Sequence, residues 1–163
     1  MPERRLLVNS KQFVTGLIEE MDRLFARLGE TETLEAESEG QVNVITLLRL
    51  ALKSELEASE LAGYWLGTTP EVDGKMALAL QCGDEMKHYG LISQRLVELG
   101  QDLSDFDPLS DGHSPLYHYL RGLRTTVERI AGGPFASEAI AVVRNAQFVN
   151  FCRAVGDEGT ATL

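Results

Sequence analysis

The chain is predicted to fold as an all-α antiparallel helical bundle, on three observations. Apolar residues recur three and four positions apart through nearly its whole length. The strict alternation that marks a half-buried strand occurs nowhere. Two long periodic segments are joined by a tight turn, which sets them antiparallel. With 163 residues, 44% of them hydrophobic and 25% charged, the chain has the size and composition of one globular domain.

Taken in order, Val14, Leu17, Ile18, Met21, Leu24, Phe25 and Leu28 mark one face of a first helix over 10–29. The stretch GETETLEAESEG, rich in Glu and Gly, reads as a solvated linker and completes an N-terminal segment, 1–40. A second helix is expected over 41–67. Leu50, Leu61 and Tyr64 lie within about 40° of Glu57 around this helix, and Leu47, Ala51, Ala58 and Trp65 continue that apolar arc. Glu57 stands at the margin of the buried face. Glu60 is read as solvated, and Glu55, on the opposite margin of the arc, as a rim residue. GTTPEVDG turns the chain, and a third helix follows over 71–100, ended by Gly100. Leu78, Cys82, Tyr89, Ile92, Leu96 and Leu99 form its stripe, with Glu85 inside it and His88 beside it. These two helices make a hairpin, 41–101. The crossover, 102–133, is an acidic loop without the register of a calcium-binding loop. After it, Ser114-Pro115 opens a short helix to about 131. Gly132-Gly133 is expected to break that helix, and another runs from Pro134 to about 156 within a last segment, 134–163.

Bulk properties exclude several classes. A net charge of −10 without a basic stripe argues against a nucleic-acid partner. No run of about twenty apolar residues suggests a membrane span, and MPERRLLVNS lacks the core of a signal peptide. Cys82 and Cys152 each sit in an apolar helical pattern and read as buried thiols in a reducing compartment. A soluble cytoplasmic protein is expected. There is no Cys-x-x-Cys pair, no glycine-rich phosphate loop after a strand and no GxSxG, so nucleotide-binding and hydrolase chemistry lack support.

The chemistry concentrates in two motifs. ELEASELAGY places Glu57 two turns before Tyr64, and DEMKHY places Glu85 one turn before His88. Glu57 lies about ten residues before the turn and Glu85 about fifteen after it, so the antiparallel hairpin brings them to similar depth. A glutamate from one helix with Glu-x-x-His from its neighbour is the ligand pattern of carboxylate-bridged metal sites in helical bundles. Such mixed oxygen and nitrogen donors suit iron or manganese, and a cation offsets the cost of burying the acids. With 17 glutamates and 3 histidines in the chain, Glu-x-x-His arises by chance roughly 0.3 times. The apolar setting of Glu85 and the facing glutamate therefore carry the signal.

With Glu57, Tyr64, Glu85 and His88 in place, the chain resembles the ferritin-like superfamily over about residues 41–156. The resemblance implies a ferritin-like bundle with an extra N-terminal helix. It also implies that Glu57 ligates one iron, that Glu85 bridges two, that His88 ligates one, and that Tyr64 lies near them. It further implies a second glutamate helix and a second Glu-x-x-His, which this sequence does not contain. Glu138 is the one glutamate in the helix over 134–156 and is taken as a further metal ligand, although spacing puts the expected position nearer Asn145. The fourth bundle helix would start after GDEGT, near Leu163. Three arrangements would supply the rest. The chain is a piece of a longer protein, or the 10–29 helix fills the fourth place with Glu19 or Glu20, or a symmetric partner chain donates ligands.

The expected function is a metal-dependent oxidoreductase that activates dioxygen on an iron or manganese carboxylate site, with two ions if the second half-site is supplied. It would act on a small molecule of unassigned class as a homodimer or other homo-oligomer. The competing expectation is a non-catalytic helical dimerisation or scaffold protein with a degenerate metal site. His113 is expected to be solvated, and His118 to belong to an aromatic cluster at an interface.

Overall fold

The computed structural model describes residues 9–27 and 32–163. Every regular element among them is helical, so the chain is all-α. The helices are α1 (Ser10–Phe25), α2 (Glu32–Glu37), α3 (Val44–Thr68), α4 (Val72–Glu98), α5 (Pro115–Arg121), α6 (Thr126–Ile130), α7 (Ala136–Ala154) and α8 (Glu158–Ala161). None of these helices is long and apolar enough to cross a membrane.

The α3–α4 hairpin is the centre of the fold. Asn43 opens α3 by accepting a hydrogen bond from the Thr46 amide at 2.9 Å, which satisfies one of the free donors at the helix start. Pro70 closes α3 by holding Thr69 extended, at φ −85° and ψ 124°. Gly100, at φ +79°, ends α4 with the Gln101 amide bonded back to the Leu96 carbonyl and its own amide to Val97. Two apolar clusters clamp the hairpin. Near the open end Leu48, Leu52, Ile92 and Leu96 pack with Phe106 of the crossover and Phe148 of α7. Near the turn Leu61, Ala62, Trp65 and Leu78 pack with Tyr117 and Leu120 of α5. The middle of the hairpin, between these clusters, is where polar groups are buried.

Three expectations change. The stretch read as a solvated linker contains α2, which docks on α7: Leu34 is 1% exposed, Thr33 hydrogen-bonds Gln147, and Glu37 pairs with Arg144 at 2.6 Å. One buried leucine on a single helical turn leaves no periodicity to read. The helix expected from 115 to about 131 stops at Arg121, and α6 starts afresh behind a Thr125–Glu128 capping box. Gly132-Gly133 does not break the chain's helical path. Ala131–Phe135 form a single π-helical turn that carries α6 into α7. Gly133 is required there, because a Cβ would lie 2.8 Å from Trp65 Cζ3. The first helix ends at Phe25, and Leu28, assigned to its apolar face, lies outside the described residues. Arg95 fastens α8 to α4 through Asp157 at 2.7 Å and Thr160 at 2.8 Å.

Candidate metal centre

Along α3, the residues that face α4 follow alternating steps of four and three: Leu48, Leu52, Glu55, Ser59 and Ala62. Along α4 the matching seam runs Leu78, Cys82, Glu85, Tyr89, Ile92 and Leu96. Glu55 and Glu85 occupy the central layer of both seams, and His88 stands one turn beyond Glu85 at the rim. His88 Nδ1 lies 3.3 Å from a Glu55 carboxylate oxygen and 3.5 Å from one of Glu85. One ligand atom from each residue falls within 4.8 Å of the other two, and this is the one such group of three among the described residues. Glu85 is buried, Glu55 is half-buried and His88 is exposed on one side, so the centre has a floor and an opening.

A third carboxylate stands next to this group. Gln81, one turn before Glu85 on α4, donates its amide both to Glu85 and, at 2.8 Å, to Glu138 of α7. The neighbouring acids raise the cost of ionising Glu55. Burial, then the hydrogen bond and negative charge of Glu85, push the Glu55 carboxyl up to about 9, with Glu138 adding to the effect and Arg144 opposing it. Glu55 Oε2 is buried and has no hydrogen-bond partner. A buried acceptor left in this state costs free energy that a cation at the same point would recover.

The sequence-derived residues divide between two places. Glu85 and His88 come together as expected, and Glu138 approaches them through Gln81. Glu57 does not join them, and Glu55 stands in the position expected for it. Two residues along a helix is about 200° of rotation, so the two side chains leave α3 on opposite sides. Glu57 faces α5, where its carboxylate accepts from the Ser114 amide at 2.5 Å and the Ser114 hydroxyl at 2.6 Å. Tyr64 also lies on that side, 45% exposed beneath the Arg121 guanidinium at 4.7 Å, about 13 Å along α3 from Glu55. His113 is not a free loop residue: it pairs with Glu60 at 2.7 Å and stacks on Tyr117 at 3.9 Å. That contact also gives Glu60, exposed as expected, a partner. His118 is exposed and meets both rings edge-on, as an aromatic cluster requires. Asn145 is exposed on α7, and Glu19 and Glu20 are exposed on α1.

Sequence reasoning missed Glu55 and Gln81. The signal for Glu55 was the four-and-three series itself. Leu48, Leu52, Ser59 and Ala62 have Glu55 at their centre, whereas the arc through Leu61 that singled out Glu57 belongs to the α5 contact. Gln81 has no signal beyond its place one turn before Glu85.

No protein-family model, no curated protein and no solved structure matches this chain.

Proposed function

We propose that this chain is a metal-binding helical-bundle protein whose Glu55, Glu85 and His88 hold a divalent iron or manganese ion. Two carboxylates and an imidazole are the donors such metals take, and three protein donors leave coordination positions open on the His88 side. The observation that carries the reading is the buried Glu55 Oε2, without a hydrogen bond, facing Nδ1 of His88 and the carboxylate of Glu85. Bound iron would supply one-electron chemistry with dioxygen, which makes an oxidoreductase the activity class. The chain's own residues set its terms. Glu85 is held by Gln81, His88 lines the opening, and the apolar clusters on either side exclude water from the floor. Three donors fit one ion. A second ion, as in the ferritin-like pattern, would draw on Glu138, which Gln81 holds beside Glu85.

Metal analysis of protein purified without chelator, paired with thermal melts, tests this. About one iron or manganese per chain, and a melting temperature raised by ferrous iron and lowered by chelator, are expected, because a ligand of the native state must stabilise it. Less than about 0.2 metal per chain with no thermal response would sink the proposal. It would leave the second reading, a structural acid pair in a non-catalytic bundle, which the raised Glu55 carboxyl favours: once protonated, Glu55 hydrogen-bonds Glu85 without any ion.

A further inference from the structure

Helix α4 has a second seam that nothing among the described residues covers. Starting at Val72 and stepping by four and three residues, it reaches Val97 without meeting a charged side chain, in a protein of net charge −10. Its large members are open to solvent: Val72 is 69% exposed, Met76 61%, Val97 58% and Met86 44%. Gly83 and Gly90 interrupt the middle of a 27-residue helix, yet a Cβ at either would meet nothing within 4 Å. Glycine weakens a helix interior, and among the described residues nothing approaches these positions closely enough to require it.

The seam is complementary to itself. Reversed about its midpoint, between Asp84 and Glu85, it sets Val72 against Val97, Met76 against Ser93, Ala79 against Gly90 and Gly83 against Met86. Both methionines meet a small residue, and the Gly83 notch takes Met86. These are the cross-pairings of an antiparallel two-stranded coil, and a two-fold axis generates each of them twice. On the flank, exposed Leu80 falls beside Lys87, whose aliphatic stem can cover it. The seam runs about 38 Å. It offers on the order of several hundred Å² of apolar surface per copy, against the roughly 800 Å² per partner of a standard interface.

We propose that this outer seam of α4 is a two-fold interface through which two copies of the chain dimerise antiparallel. Among the described residues the other uncovered apolar helix is α1, which has no buried residue, but its 16 residues span about 24 Å and would leave a third of the seam bare. Gly83 and Gly90 stand about 140° and 200° around α4 from His88, so dimerisation leaves the Glu55–Glu85–His88 centre open. The inference does not rest on metal binding.

Sedimentation velocity of the full chain in chelator tests the interface through size exchange. The unaltered protein is expected to be a dimer at about 100 µM. Gly83→Met and Met86→Gly should each weaken dimerisation about tenfold or more, by overfilling the notch or emptying it. The double variant, which only inverts the pair, should return to within about threefold of the unaltered protein. Far-ultraviolet dichroism should show each variant folded, since both positions open to solvent in a single chain. A monomer throughout, a dimer indifferent to both single substitutions, or a double variant no tighter than the singles would each overturn the proposal. Ile18→Asp dissociating a dimer that the α4 substitutions leave intact would also overturn it and assign the contact to α1.

Discussion

Glu55 and Glu57 are two residues apart on one helix, both removed from bulk water, and they differ in almost everything else. Glu57 has both oxygens occupied, by the amide and the hydroxyl of Ser114, and that same hydroxyl accepts from the Tyr117 amide to cap α5. Its carboxylate is a structural peg between α3 and the crossover. Glu55 faces a second carboxylate and an imidazole, keeps one buried oxygen without a hydrogen bond, and holds its proton to about 9. Depth of burial is therefore a poor guide to role. A carboxylate whose partners are donors is satisfied, whereas one whose partners are further acceptors is poised for a cation or a proton.

The sharpest way to break this contrast is metal affinity. Glu55→Ala and Glu85→Ala should each lower affinity for ferrous iron or manganese more than about 100-fold, while Glu57→Ala stays within about threefold in any variant that folds. Titration calorimetry reads all three, and a Glu57→Ala loss equal to that of Glu55→Ala would erase the distinction. Stability should rank the pair in the opposite order. In metal-free protein Glu57→Ala should cost about 2–3 kcal/mol by denaturant unfolding, since it leaves the Ser114 amide and hydroxyl without an acceptor. Glu55→Gln should be neutral or slightly stabilising, because it removes an ionisable group buried among acids.

Acidity gives the next effect. A carboxyl raised in the folded state from 4.5 to about 9 binds its proton more tightly than in the unfolded chain. Its contribution is therefore complete below about pH 4.5 and is lost as pH rises towards 9, with a slope of up to about 1.4 kcal/mol per unit. Metal-free unfolding across that window should show the decline, and Glu55→Gln should flatten it. Metal must displace the same proton, so affinity should climb up to tenfold per pH unit over the window. The smallest effect belongs to Gln81. Gln81→Leu removes the amide that holds Glu85 and Glu138 together, and should cost about 1 kcal/mol in metal-free protein.

Much of the centre was legible in one dimension because Glu85 and His88 share a helix. Their spacing fixes their proximity whatever packs against them, and the Pro70 and Gly100 stops fix the depth at which the hairpin presents them. Glu138 was reachable as the one acid of its helix. The choice between Glu55 and Glu57 was not legible, because α3 buries two faces. Leu48, Leu52 and Ala62 turn to α4, and Leu61 turns to α5 with Glu57 beside it. A helix buried twice yields a broad apolar arc whose centre points at neither neighbour. The segments 32–37 and 131–135 were missed for a related reason. A single turn anchored by Leu34, and a Gly-Gly-Pro passage that stays helical against Trp65, take their shape from α7 and α3.

By itself, then, the sequence determined the helical class, the antiparallel hairpin and the Glu-x-x-His pair, since each depends on contacts or stops a few residues apart along one chain. Only the tertiary structure decided which glutamate joins that pair and which one pegs the crossover. A rotation of about 200° between neighbouring positions acquires meaning only when another helix occupies each side.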